Sequence, residues 1–243
     1  MPAPAPMIEL NQASYLVDGR ALLSDISFRV DARRIGIIGR NGSGKTTLAR
    51  MMAGLVPPTS GLVRVDGVDV SRDRKAALRK VGILFQNPDH QIIFPTVEEE
   101  LGFGLRQMGR SAEEVTQEVI KVLDRFDRRD WFKAALHQLS QGQRQLVCLM
   151  AVLAMRPDVI LLDEPFSGLD IPTAMRLARI FDGVEATLVQ ITHDPTVLRS
   201  YDRLIWIDAG RVVMEGEVAQ VLPAFQGRMA ALGATDDLAD LAG

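Results

Sequence analysis

Apolar residues fall into two rhythms along this chain. Between Ile8 and Val30 apolar and polar positions alternate, as at Ile26, Phe28 and Val30 with Ser27 and Arg29 between them, and Asp18-Gly19 marks a turn. Period two with a turn signal predicts an antiparallel strand layer. The run Ile35 to Ile38 stops at Gly39, and from Lys45 the spacing turns helical through Leu48, Met51 and Met52. That pattern predicts strand, glycine-rich loop and helix in succession. Pro57 to Gly61 reads as a turn, the following L-V-R-V-D-G as a strand turning at Asp66-Gly67, and Val81 to Phe85 as a strand closed by Gln86.

From about Asn87 to Pro157 no convincing strand is found. Thr96 with Glu99 three residues on has the form of a helix cap, and Val115, Val119, Val122, Leu123 and Phe126 repeat along one face from Ala112 to Phe126. Strand pattern resumes at Val159 to Leu162, apolar at every position as in a strand covered on both faces, and ends in Asp163-Glu164-Pro165. A helix from about Thr173 to Phe181 follows, then a strand Thr187 to Thr192 closed by His193-Asp194-Pro195. Ile205 to Ile207 and Val212 to Met214 form a hairpin about Asp208-Ala209-Gly210. The predicted organisation is one α/β domain over 7–226 with a helical subdomain inserted at about 87–157. Residues 1–6 read as a frayed arm. Residues 227–243 read as a tail, either a short helix or disordered.

Composition narrows the class. The 243 residues carry 28 Lys and Arg against 31 Asp and Glu, a net charge of −3, which suggests neither nucleic acid nor an anionic membrane as partner. The first residues, M-P-A-P-A-P-M, lack the basic and apolar regions of a signal or transit peptide. The longest apolar stretch, Leu146 to Met155, is about half of a bilayer span, so the chain is not expected to cross a membrane by itself. A single cysteine, Cys148, sits in that stretch and reads as a small buried hydrophobe; cytosol fits.

The candidate chemistry starts at Gly39-Arg40-Asn41-Gly42-Ser43-Gly44-Lys45-Thr46-Thr47. Its glycines allow consecutive backbone N–H groups to curl around phosphate oxygens at a helix N-terminus; Lys45 would reach the β- and γ-phosphates and Thr46 a Mg²⁺ ion. Asp163 and Glu164, closing a buried strand, are the matching acidic pair, with Asp163 assigned to the metal shell and Glu164 to the attacking water. Leu139-Ser140-Gln141-Gly142-Gln143 precedes a long apolar helix and reads as a second anion site, useful only if it serves another subunit's nucleotide. Ser167-Gly168-Leu169-Asp170 follows the acidic pair closely. His193 and Gln86, at strand ends, are candidates for reading the γ-phosphate. Tyr15, half-buried strand residue or base-stacking platform, is the last.

In this order the aromatic residue, phosphate loop, Gln, L-S-x-G-Q, acidic pair, S-G-L-D and His resemble the ATP-binding subunits of ABC transporters across nearly the whole chain. The resemblance implies a P-loop NTPase core with an antiparallel β subdomain and an inserted α-helical subdomain, using ATP and Mg²⁺ in a nucleotide sandwich dimer. It gives Tyr15 the adenine and Gly39 to Thr47 the phosphates. Ser140, Gln141, Gly142 and Gln143 serve the γ-phosphate in trans, and Asp170 lies in a dimer-interface loop. Glu164 is implied as general base and His193 as switch, with Lys45 and Gln86 also catalytic and Thr46, Gln86 and Asp163 around the metal. Gln141, where Gly is commoner, and Phe166, where many cassettes carry Thr, depart from the pattern without removing Gly142.

Within that superfamily, the stretch from Phe85 to Val97 is similar to the ATPases of energy-coupling-factor (ECF) vitamin and metal importers. The form Leu-Ser-Gln-Gly-Gln and the run from Arg144 to Met150 are most similar to biotin importers, with cobalt and nickel importers close by. The implied partners are a transmembrane coupling subunit, a small substrate-binding membrane subunit and a second ATPase subunit, in a homodimer, with no nucleic acid. The implied location is peripheral, on the cytoplasmic face of the inner membrane. The surface between Gln86 and Gly104 is the expected dock, with Ile92, Ile93, Phe94 and Val97 as partly exposed anchors. Related ATPases of DNA repair would need a long coiled coil before L-S-x-G-Q, and translation-type ones a second cassette. A non-hydrolysing sensor fits poorly with Lys45, Asp163, Glu164 and His193 present together.

Overall fold

A computed structural model describes residues 5–234; residues 1–4 of the expected arm and 235–243 of the expected tail lie outside them. The alternating N-terminal pattern forms a hairpin of β1 (Ile8–Val17) and β2 (Arg20–Val30). Asp18 (φ 49°) and Gly19 (φ 78°) give the left-handed pair that a two-residue hairpin turn requires. With β4 (Ser60–Val65) and β5 (Val68–Asp69) they make a four-stranded antiparallel sheet in the order β2-β1-β4-β5.

The second sheet has six strands, β10-β9-β3-β8-β7-β6. Five of them run parallel: β3 (Arg34–Ile38), β6 (Val81–Leu84), β7 (Val159–Asp163), β8 (Thr187–Thr192) and β9 (Arg203–Asp208), with β10 (Arg211–Glu217) antiparallel at the edge. Parallel strands present their carboxyl ends along one edge, where crossover loops gather. β7 is buried at every position.

Helix α1 (Lys45–Met52) follows β3 and lies in the core shared by the two sheets; Leu48, Ala49, Met51 and Met52 are each at most 1% exposed. Between β6 and β7 run α3 (Val97–Gln107), α4 (Ala112–Arg125) and α5 (Gln141–Ala154). Their apolar faces close a second core with Leu84, Ile160 and Leu162 of the parallel sheet. α4 starts where Ser111 and Glu114 form a reciprocal capping box. α6 (Ile171–Asp182) covers the same core through Leu177 and Phe181. At the far end of α6, the Arg34 guanidinium donates to the carbonyls of Phe181, Val184 and Ala186 (3.3, 3.0 and 3.1 Å), tying it to the start of β3.

One helix lies where the sequence pattern predicts none, and another is longer than the short C-terminal helix the sequence allows. α2 (Arg74–Lys80) buries only Ala77, so its charged residues mask its period. α7 (Val218–Ala234) runs unbroken across the expected 226/227 boundary and packs on β9, with Trp206 and Phe225 edge-to-face at 5.6 Å. Among the described residues no helix is long and apolar enough to cross a membrane.

Candidate active site at the strand ends

The loop after β3 is built for close approach. Gly42 (φ 76°) and Gly44 (φ 100°) take left-handed backbone, and a Cβ on Gly39 would come within 2.1 Å of the Ile207 carbonyl. Ser43 N–H donates to the Arg40 carbonyl at 3.2 Å, and Ser43 Oγ is buried without a partner among the described residues. Arg40, Asn41 and Gly42 form the exposed crest and Thr47 is half-buried below it. Lys45, 7% exposed, bends its ammonium back to donate to the Gly39 and Arg40 carbonyls, both at 2.8 Å. Burial pulls its pKa below the usual lysine value against the opposing pull of Glu164 and Asp163.

β7 delivers the acidic pair beside this loop. Asp163, 3% exposed, accepts from the Thr46 hydroxyl at 3.2 Å; burial pushes its carboxyl above the usual range, with the Thr46 bond opposing. Among the described residues no cluster of three His, Cys, Asp or Glu side chains could hold a metal. The Thr46–Asp163 pair is instead a partial set of hard oxygen donors, which fits a Mg²⁺ that takes its other ligands from phosphate and water.

Glu164 turns the chain with φ 47° and donates its N–H to the Ile191 carbonyl of β8 at 2.9 Å. Its Oε2 accepts from the Thr192 hydroxyl (3.1 Å), and its Oε1 accepts from His193 N–H (2.9 Å) and lies 2.6 Å from His193 Nδ1. The sequence reading gave Glu164 and His193 separate tasks in one crevice; here they are in direct contact.

Gln86, after β6, donates its side-chain amide to Ser167 Oγ at 3.0 Å, on the S-G-L-D loop, while Thr46 and Asp163 meet each other. Tyr15 is half-buried on β1 opposite Leu23 of β2, and Leu23 Cδ2 lies 2.8 Å from where a Gly44 Cβ would stand, so β2, the neighbour of Tyr15's strand, borders the phosphate loop. Phe166 packs at 5.8 Å on Phe181 of α6, which accommodates that departure as core filling.

The second anion candidate stands apart. Ser140 caps α5: its Oγ accepts from Gln143 N–H (3.3 Å) while Gln143 Oε1 accepts from Ser140 N–H (2.8 Å). Ser140, Gln141 and Gln143 are exposed; Gly142 is half-buried under α6, where a Cβ would meet Thr173 Cγ2 at 2.9 Å. Asp170 caps α6 by accepting from Thr173 N–H at 2.7 Å, and Thr173 holds its carboxyl below the usual range. Among the described residues no hydrogen bond joins 139–143 to the phosphate loop of the same chain.

The expected dock needs correction. Val97 is fully buried where α3 begins and is no anchor, while Ile92 is half-buried against the helical core. Ile93 remains 67% exposed, and Phe94 is half-buried at 5.3 Å from Phe103 with Arg106 over its ring at 5.6 Å. Ile93 lines a groove of about 430 Å³ with Leu55, Arg74, Leu78, Glu100 and Phe103. Glu100, 5% exposed, accepts the N–H groups of Ile93 and Phe94 at 2.9 and 3.0 Å and holds that turn. An acid in a first helical turn reads as a solvated dipole partner, so its structural task left no signal. Cys148 is buried as expected, its thiol pushed up to about 12 by that burial.

The family model of ABC transporters matches residues 23–167. A biotin transport ATP-binding protein, BioM, of Rhodobacter capsulatus is 48% identical over 225 residues, covering 93% of this chain and 96% of the relative. An energy-coupling factor transporter ATP-binding protein, EcfA, of Methanothermobacter thermautotrophicus is 36% identical over 226 residues, covering 88% of this chain and 72% of that one. A dimeric ATP-binding cassette solved in a post-hydrolysis state with ADP and Pi matches with a TM-score of 0.74 at 26% identity, covering 87% of this chain and 98% of that one.

Proposed function

Because the chain belongs to the ABC transporter family of ATP-binding proteins, we propose that it hydrolyses ATP to drive an ECF-type importer whose cargo is a vitamin, biotin foremost. The observation that carries this reading is the convergence of Lys45, Thr46, Asp163, Glu164 and His193 on one sheet edge in a chain so similar to a biotin transport subunit. Residues 7–226 act as the ATPase domain in this reading, with 87–157 as its helical insert.

The chemistry follows from the contacts. Lys45 trades its two carbonyl partners for β- and γ-phosphate oxygens, and loop N–H groups take the remainder. Thr46 and Asp163 would hold Mg²⁺, which screens phosphate charge when bound. Glu164 accepts a proton from water as the water oxygen bonds to the γ-phosphorus and the bond to ADP breaks; the bonds from Thr192 and His193 fix the carboxylate for that transfer. His193 then offers a ring nitrogen to the departing phosphate. Ser140 and Gly142 complete a partner's site, and the outward-facing α5 N-terminus supports two composite sites per dimer.

The groove beside Ile93 receives the transmembrane subunit, and the protein is peripheral on the cytoplasmic face of the membrane. An exposed isoleucine over an apolar groove, on the segment that follows Gln86, supports this dock. The test is reconstitution with the candidate membrane partners in vesicles. ATP-dependent uptake of labelled biotin, lost in Lys45→Ala, is the expected result. Uptake of cobalt in its place would move the cargo to the metal importers, and no uptake with intact ATPase would overturn the transport assignment. Ile93→Asp should leave ATP binding unchanged and reduce co-purification with the transmembrane partner; unchanged co-purification would put the dock elsewhere.

A further inference from the structure

We infer that Gln145 is a positioning residue for hydrolysis, tying the helix that carries Ser140 to the loop that carries Gln86. The inference rests on the proposed reading of two composite sites per dimer. Gln145 lies in the second turn of α5, is 1% exposed, and donates its side-chain amide to the Phe85 carbonyl at 3.1 Å. Phe85 immediately precedes Gln86. Its N–H is held from the other side by Gln91 Oε1 at 3.1 Å, and its ring lies 5.9 Å from the guanidinium of Arg50 on α1, the helix that Lys45 begins. A parallel tie runs one residue earlier along α5: Arg144 Nε lies 3.0 Å from Asp89 Oδ1, while its guanidinium also donates to the Leu139 carbonyl at 2.7 Å.

Phe85 is therefore the point where the phosphate-loop helix, the Gln86 loop and the Ser140 helix meet. Gln145 is a costly way to fill its space, because Oε1 is buried with no partner among the described residues. A methionine of similar length would remove the unmet Oε1 and take away the one donor, among the described residues, to the half-buried Phe85 carbonyl. What the amide supplies is a fixed Phe85 carbonyl. α5 serves the partner's nucleotide at its N-terminus, and Gln86 serves the chain's own. Movement of α5 on engaging one nucleotide shifts the anchor of the residue that reads the other, so the two sites fire in a coupled manner.

The test uses the assembled ATPase–membrane complex in vesicles, comparing wild type with Gln145→Met, which cannot donate. ATPase rate against ATP concentration should lose its sigmoidal form, the Hill coefficient falling from above 1 to 1 and kcat falling about fivefold or more. ATP affinity of the isolated subunit should stay within about twofold and the unfolding midpoint should not fall, a split that a purely structural role would not produce. If Gln145→Met fails to fold, Gln91→Ala releases Phe85 from its half-exposed side and should lower the Hill coefficient likewise. A wild-type Hill coefficient of 1, or one that survives in the folded variants, overturns the inference. Wild-type hydrolysis abolished by Lys45→Ala keeps the functional reading standing through such a failure; an inert wild-type complex would instead sink that reading and this inference with it.

Discussion

The phosphate-loop half and the Ser140 half of the proposed chemistry are organised in opposite ways. Around the loop, polar groups are bonded to one another across the sheet edge, with Lys45, Asp163 and Thr192 buried: Lys45 on two carbonyls, Thr46 on Asp163, Glu164 on Thr192 and His193. Three parallel strands, β3, β7 and β8, bring these groups to one edge, so their spacing is set by the sheet. Ser140, Gln141 and Gln143 are instead exposed on a helix end, with Ser140 and Gln143 bonded to each other. The first half is complete within one chain and bears the desolvation of buried charge. The second is inexpensive to fold and has nothing of its own to act on, which is the arrangement expected of a surface that works on a neighbour.

The largest expected effect lies in the inward half. Glu164→Gln should bind Mg-ATP yet hydrolyse it about 10²–10⁴-fold more slowly, as for loss of a positioned general base. Single-turnover hydrolysis within threefold of wild type would assign water activation to another group. Lys45→Ala should weaken ATP binding about 10–100-fold by loss of a charge-assisted contact made in the ground state. Equilibrium titration giving an unchanged dissociation constant would remove Lys45 from the phosphates.

The outward half is tested by mixing. A dimer of one Lys45→Ala subunit with one Ser140→Arg subunit has one composite site damaged twice and one intact. It should therefore hydrolyse ATP faster than either homodimer, in each of which both sites are damaged. Mixed dimers with no more ATPase activity than either homodimer would break the division into own-site and partner-site halves.

The smallest effect concerns stability and its pH dependence. Burial raises the Asp163 pKa in the folded chain above its ordinary value of 3.8. The folded state therefore holds that proton more tightly than the unfolded state, and above the raised value the ionised carboxylate costs stability. Asp163→Asn should then melt about 2–4 °C higher near pH 7, roughly what 1 kcal/mol gives in a domain of this size. The gain should fade as pH falls through the folded value and be gone below 3.8. A gain that persists in acid would mean that burial of the charge is not its source. No comparable pH effect is expected at Ser140.

Much of the inward half was legible because its residues are contiguous or close an apolar run: Gly39 to Thr47 in one loop, Asp163-Glu164 at the end of β7. Contacts that join separate strand ends were not legible. Nothing in spacing tells that Gln86 reaches Ser167 or that His193 Nδ1 meets Glu164, because those pairings depend on how two loops bend beyond the sheet. The segment after Gln86 misled for a related reason. Prolines break its period, so the pattern could not separate Val97, which enters the helical core, from Ile93, which does not. α2 stayed hidden because a short helix with one buried residue has no apolar stripe to detect.

The left-handed backbone at Glu164 places the carboxylate proposed as general base at a position where an L-residue with a long side chain is ordinarily disfavoured. Its own N–H bond to the Ile191 carbonyl and the bonds donated by Thr192 and His193 hold it there. Replacement by a residue that tolerates this conformation would lose the base while relieving backbone strain. Under the proposed assignment, a folded, nucleotide-holding and hydrolytically silent form of the subunit thus lies one substitution away. Drift at this codon would be opposed by selection for turnover, with little opposition from protein quality control.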